Sequence, residues 1–346
     1  MLAARLYGPG DLKIEEVQIP SFGDNEILLK VKVCAICGTD LRFYKNGMNN
    51  SNYSEPRILG HELSGIIENT GCNVRGYIRG MRVAVAPNMG CGLCDRCISG
   101  NTHLCQDYKA LGVNLDGGMA EYVKIPEAAV TQGNIVVLDD ATPFEEAAIN
   151  EPFSCVYNGF SQCAVKPGDR VLVMGAGPIG LLHAKLAKLA GASKVIISDL
   201  SDDRLQMCNK VDKFFITLKG TDVKEAVMNI TKGEGLNVCI TANSSPDAQA
   251  AALELMAIGG RVNFFGGLPK SREIVPLNTN LIHYRQLILT GSTRASLSQY
   301  RQTLKFLSDG VISINEFVTG RFSLHDVKEA FKLAEDAKGL KNVIEF

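Results

Sequence analysis

Over the first 150 positions, apolar and polar residues change places at short range. At 27–33 (ILLKVKV) they alternate, the period of a strand with one buried face. Apolar runs at 65–68 and 82–86, and a run at 117–123 behind a DGG turn, continue the series, with Gly, Pro and Asn between them. Many short strands with this punctuation predict an all-β, barrel-like unit. Beyond residue 151 the pattern lengthens. Strands at 170–174, 194–198, 236–241 and 261–265 alternate with helices at 181–190, 202–210 and 246–257. Strand–helix–strand repetition at this period predicts right-handed crossovers and a doubly wound parallel sheet. A further strand at 287–291, helices at 298–308 and 323–338, and a last strand at 342–345 complete the chain. No internal repeat or low-complexity segment interrupts this order.

Composition changes the picture little. A chain of 346 residues exceeds one ordinary core, so two domains are expected. With 46% hydrophobic and 21% charged residues it reads as globular. The 36 basic and 37 acidic residues nearly cancel, giving a net charge of -1, which argues against nucleic acid as a partner. No apolar run approaches spanning length, so no membrane partner is expected. Eleven cysteines without an apolar leader suit a reducing compartment, and the expected location is cytoplasmic.

The cysteines carry chemistry. In CGLCDRCISGNTHLC, Cys91, Cys94, Cys97 and Cys105 are separated by two, two and seven residues. That spacing wraps four thiolates around one tetrahedral ion, the donor set of a structural zinc site, with Gly92 and Gly100 allowing sharp turns. An iron–sulfur run would place its fourth cysteine after three residues and before proline, whereas here Gln106 follows. Two disulfides are the other alternative, although seven more cysteines are scattered elsewhere. Of these, Cys34, Cys72, Cys155, Cys163, Cys208 and Cys239 read as buried small apolar residues.

A second motif lies in VLVMGAGPIGLLHAKLAKLAGASKVIISD. Gly175, Gly177 and Gly180, with Pro178 and Ile179 between them, form G-x-G-x-x-G between an apolar strand and a helix. Gly175 permits the tight turn, Gly177 lets backbone approach a pyrophosphate, and Gly180 lets helix and sheet pack closely. Asp199, at the tip of the next strand, is placed to bind ribose hydroxyls and to repel a 2′-phosphate, which favours NAD. Arg204 nearby is suited to attract that phosphate, so NADP stays open.

Cys37 (ICGTD), His61 and Glu62 (GHE) and Glu151 (EPF) form a mixed S/N/O set that suits an open, catalytic zinc. Each residue alone reads as well as packing or a turn residue. His183 reads as a packing or surface residue, and Lys338 and Lys341 as a solvated face.

The run GHELSGIIENTGCNV, with Gly60, Gly65 and Gly71, resembles the zinc signature of the medium-chain, zinc-containing alcohol/polyol dehydrogenases. ICGTD, the four-cysteine lobe, DGGMAEY, the EP pair and GAGPIG follow in that family's order over nearly the whole chain. The resemblance implies a GroES-like β-barrel catalytic domain at 1–152, with the cysteine lobe at about 88–108. It implies a Rossmann domain at 153–290, and a segment 291–346 returning to the catalytic domain. Carried over by residue, Cys37 and His61 match catalytic-zinc ligands. Glu62 matches the ligating glutamate of the sorbitol-dehydrogenase-like branch, and Glu151 falls where other members carry a third ligand. Asp40 resembles the carboxylate that orients the zinc-bound histidine, and Thr39 the hydroxyl that starts a proton relay. The implied cofactors are two zinc ions per chain and NAD. The implied reaction is hydride transfer from a secondary alcohol, a polyol or sugar alcohol, in a homodimer or homotetramer. A threonine or sugar dehydrogenase of the same family, and a non-catalytic NAD-binding zinc protein, are the alternatives. GSTRAS (291–296) is unlike animal sorbitol dehydrogenase, which leaves the substrate open.

Overall fold

The computed structural model describes residues 1–48, 55–220 and 223–346. The chain divides into two units, one made of Met1–Ser154 and Ala295–Phe346, the other of Cys155–Arg294.

In the first unit the alternating segment forms the strand Ile27–Ala35, which buries Ile27, Leu29 and Val31 completely. Each such side chain contributes about 1.5–3 kcal/mol relative to exposure. Their core partners include Leu6, Leu12, Leu63, Met119, Phe331 and Ile344, drawn from both ends of the chain. The strand pairs antiparallel with Glu62–Thr70, Tyr122–Ile125 and the C-terminal strand Lys341–Glu345. The last of these continues in parallel to Val318–Ser323. Arg82–Val85 and Ile135–Val137 extend the same sheet beyond Glu62–Thr70, and a smaller sheet is built from Asp11–Glu16, Leu2–Gly8 and Arg57–Ile58.

The second unit is a six-stranded, all-parallel sheet in the order Phe215–Lys219, Lys194–Asp199, Arg170–Met174, Leu236–Thr241, Met256–Phe264, Ile288–Gly291. Numbered along the chain, that order is third, second, first, fourth, fifth, sixth. Winding therefore reverses between Arg170–Met174 and Leu236–Thr241, the place where open α/β sheets bind ligands. Both strands are almost wholly buried, as strands covered on two faces must be.

Several elements differ from the sequence reading. A helix Phe144–Cys163, with Pro152 inside it, runs through the expected domain change after 152. Proline removes one backbone donor, and the rest of this apolar helix continues past it. The run at 117–123 becomes a strand only at Tyr122–Ile125. The reason is that Gly117 and Gly118 donate to Ile58 O and Gly60 O, at 2.9 and 2.8 Å, and are committed to a loop contact. The stretch 323–338 is a single-turn 3-10 segment, Leu324–Asp326, followed by the helix Val327–Glu335. Among the described residues, no helix is long and apolar enough to cross a membrane.

Candidate metal centres and nucleotide site

Strand register brings three distant segments to one end of the first unit's sheet. Beyond the strand Ile27–Ala35, Cys37 caps the helix Gly38–Asn46. On one neighbour Glu62 lies opposite Ala35, so His61 falls just before the strand begins. On the other neighbour Val343 lies opposite Ala35, which carries Lys341 to the same end. One donor atom each from Cys37, His61 and Glu62 lie within 4.8 Å of one another.

Asp40, fully buried in the first helical turn, ties this group together. Its Oδ2 accepts from the Cys37 amide at 2.8 Å, and its Oδ1 accepts from the Gly60 amide at 3.2 Å. Oδ1 stands 3.6 Å from His61 Nδ1, which is buried and lacks a hydrogen-bond partner. Burial alone would lower the pKa of His61; the Cys37 thiolate and the Asp40 carboxylate outweigh it and raise it well above the usual range. Thr39 is half-buried on the same turn, and Arg42 Nη2 donates to its hydroxyl at 3.5 Å. Glu151 is buried in the helix Phe144–Cys163 and outside the group of three, yet near enough for its charge to act on Glu62.

Lys341 departs from the expected solvated face. It is 5% exposed, and its ammonium donates to both Glu62 oxygens at 2.6 and 2.5 Å and to Ile36 O at 3.1 Å. Lys338, three residues earlier, is exposed. Lys341 differs because it begins a strand hydrogen-bonded on both sides. Burial pushes the Glu62 carboxyl above the usual carboxylate range, with Lys341 and His61 opposing. No local signal marks Lys341, since its partner lies 279 residues away.

The four cysteines of the lobe also converge: one sulfur from each of Cys91, Cys94, Cys97 and Cys105 lies within 4.8 Å of the others. Amides of Leu93 and Cys94 point at Cys91 Sγ, at 3.5 and 3.4 Å, and lower its pKa to about 7. The Cys91 amide points at Cys105 Sγ at 3.3 Å. Gln132 Nε2 anchors the lobe by donating to Gly90 O at 2.8 Å. Sulfurs aimed at a common centre, with backbone amides turned toward them, fit a four-thiolate zinc. The thiol, the imidazole and the carboxylate of the first cluster, with donor atoms within 4.8 Å of one another, fit a divalent ion with room for a further ligand. Of the remaining cysteines, Cys34, Cys163, Cys208 and Cys239 are buried as expected, and Cys155 is partly so. Cys72 is exposed, because it sits in the turn that follows the strand Glu62–Thr70.

In the second unit the glycine turn joins Arg170–Met174 to the helix Pro178–Leu189. A Cβ on Gly180 would lie 1.8 Å from Gly175 O, so helix and turn pack as closely as expected. A Cβ on Gly177 would meet only the Arg204 guanidinium, in ordinary contact at 3.5 and 3.8 Å, so that side chain lies over this backbone. Pro178 and Ile179 open the helix, partly exposed. Asp199 ends its strand with Oδ2 accepting from the Ala176 amide at 2.7 Å and Oδ1 from the Ser201 amide at 2.9 Å. Each oxygen retains a lone pair for a ribose hydroxyl. Arg204 has a buried, unpartnered Nε. With Gly175, Asp199 and Arg204, Asn243 and Arg272 line a cavity of about 730 Å3. Asn243, which sequence reading passed over, donates from Nδ2 to Met174 O at 2.9 Å and so braces the turn at the sheet's winding reversal. A cavity lined by the first glycine of the turn, with an acid at the next strand end, fits a dinucleotide. His183 is fully buried, with both ring nitrogens unpartnered and its ring 4.8 Å from that of Phe265.

Comparison with known proteins converges on the same picture. Residues 23–135 match the model of the alcohol dehydrogenase GroES-like domain, and residues 178–309 that of the zinc-binding dehydrogenases. A sorbitol dehydrogenase from Bacillus subtilis is 33% identical over 96% of this chain and 93% of its own length. An L-threonine 3-dehydrogenase from Pyrococcus horikoshii is 34% identical over 98% of this chain and 96% of its own. A solved structure from Sinorhizobium meliloti, bound to NADP, aligns with a TM-score of 0.89 at 28% identity, covering 100% of this chain and 99% of its own. The rspB alcohol dehydrogenase of Escherichia coli CFT073, complexed with NADH, gives 0.89 at 29% identity with the same coverage. With both halves matched and relatives above 30% identity spanning nearly its full length, the chain belongs to the zinc-containing medium-chain alcohol/polyol dehydrogenase family.

Proposed function

We propose that this protein oxidises a secondary alcohol, a polyol or sugar alcohol, with NAD as hydride acceptor. The observation that carries the reading is the meeting of half-buried Cys37, two residues from Thr39 in the chain, with buried His61 and Glu62. In this reading Cys37, His61 and Glu62 hold zinc, with Glu151 close by. Zinc bound there supplies Lewis acidity that lowers the pKa of an alcohol oxygen, and the nicotinamide supplies the hydride acceptor. Asp40 fixes the orientation of Cys37 and His61 through its hydrogen bonds to the Cys37 and Gly60 amides. Thr39 Oγ1 accepts the substrate hydroxyl proton and passes it outward. Gly177 and the start of the helix Pro178–Leu189 receive the pyrophosphate, and Asp199 the adenosine ribose. The second zinc is held by Cys91, Cys94, Cys97 and Cys105 and serves folding.

The choice of NAD rests on the Asp199 carboxylate, which repels a 2′-phosphate. Identity to the Pyrococcus horikoshii L-threonine 3-dehydrogenase equals that to the sorbitol dehydrogenase within a point, so an amino alcohol is the second reading. The test is oxidation of a panel of polyols, aldoses, L-threonine and simple secondary alcohols with NAD and with NADP, each with and without a zinc chelator. Chelator-sensitive turnover of polyols with NAD is expected. Turnover of L-threonine alone selects the second reading, and turnover indifferent to chelation removes the zinc mechanism.

A further inference from the structure

The Lys341–Glu62 pair is more than a buried ion pair, because Glu62 belongs at once to two groups. Its carboxylate oxygens accept from Lys341 Nζ at 2.6 and 2.5 Å, and one of its oxygens lies within 4.8 Å of donor atoms on Cys37 and His61. The ammonium is held in place: its three N–H groups are matched by the two Glu62 oxygens and Ile36 O, the last at 3.1 Å. The Lys341 backbone is held at the start of the strand Lys341–Glu345, which is hydrogen-bonded on both sides. A cation fixed in this way draws on the same carboxylate as a metal ion would, and it repels that ion.

We propose that Lys341 is a positioning residue that competes with the metal for Glu62 and makes Glu62 a detachable ligand. The inference rests on reading Cys37, His61 and Glu62 as the catalytic metal centre. Its sign separates it from a purely structural role. If Lys341 merely supports the site, removing it loosens the metal. If it competes, removing it frees a carboxylate and removes a repelling charge, and the metal is held more tightly.

The experiment loads the full-length protein with zinc, adds a chelator, and follows zinc release with a metal indicator. Cys37→Ser shows which release phase belongs to this centre. In Lys341→Met that phase is expected to slow about tenfold, the lower end of what partners of metal ligands contribute. Lys341→Arg, which keeps the charge, should release zinc as the native protein does. Glu62→Gln added to Lys341→Met should abolish the slowing. Lys341→Gln, which keeps a hydrogen-bond donor without the charge, gives the same decision should the methionine variant not fold. Release as fast as native or faster in the neutral variants overturns the proposal. If Cys37→Ser leaves every release phase intact, the metal reading of this cluster fails, and the competition falls with it.

Discussion

Asp40 shows how one side chain can set the geometry of two others. It is fully buried, and its two oxygens are divided between the Cys37 amide and the Gly60 amide beside His61. Asp40→Asn loses the charge beside the imidazole and turns one of the two acceptor oxygens into an NH2 donor that faces a backbone N–H. Zinc affinity at the Cys37 centre should fall about 10–100-fold, and stability by about 1–3 kcal/mol for the buried amide left unpaired; competition titration against a chelator and thermal unfolding measure the two. His183 makes a different prediction. Burial lowers its pKa from 6.5 to about 3 in the folded chain. Unfolded, it takes a proton near 6.5; folded, it stays neutral until about 3. Its contribution is therefore intact above pH 6.5 and falls as pH drops toward 3, by about 1.4 kcal/mol per pH unit. Urea unfolding at pH 7.5 and pH 5 should show a drop that shrinks by about 2 kcal/mol in His183→Leu. An unchanged pH dependence would mean that the imidazole is not buried neutral.

At the scale of elements, the two glycine- and cysteine-rich segments act differently. The lobe holds only the short helix Asp95–Ile98, a 3-10 turn and the two-residue strands Asn88–Met89 and Lys109–Ala110, too little to fold by packing. On the proposed reading, metal binding supplies its folding energy. Cys97→Ser should lower the melting temperature and remove one zinc per chain, while any folded fraction keeps its affinity for NAD; calorimetry with metal analysis tests both. The glycine turn, by contrast, is fixed by contact. Gly180→Ala would set a methyl 1.8 Å from Gly175 O. The backbone must shift, at a cost of about 1–3 kcal/mol, and dinucleotide binding should weaken markedly, which fluorescence titration with NADH would show. Normal NADH affinity in that variant would place the nucleotide elsewhere.

At the scale of the molecule, chain order and spatial order diverge most in the first unit. The final strand, Lys341–Glu345, sits between Ile27–Ala35 and Val318–Ser323, with Val343 and Ile344 fully buried. A chain stopped after Leu340 loses a central strand and the partner of Glu62. It should fail to give a cooperatively folded first unit, seen as loss of the sharp thermal transition by circular dichroism. Much of the protein was legible without coordinates. The cysteine spacing, the strand–G-x-G-x-x-G–helix–acid sequence and the GHE run are local, because a turn, a tetrahedral lobe and a helix start are made from neighbours in the chain. Alternation at 27–33 likewise follows from a strand's own period. Lys341 as partner of Glu62, the brace from Asn243, the helix that continues through Pro152 and the exposure of Cys72 were not legible. Each depends on strand register or on packing between segments far apart in the chain, where a shift of one residue turns every side chain to the other face. The sequence by itself determined which donors and turns exist. Only tertiary structure decided that Cys37, His61, Glu62 and Lys341 share one end of a sheet, because hydrogen-bonded register across three strands, not any local propensity, sets that meeting.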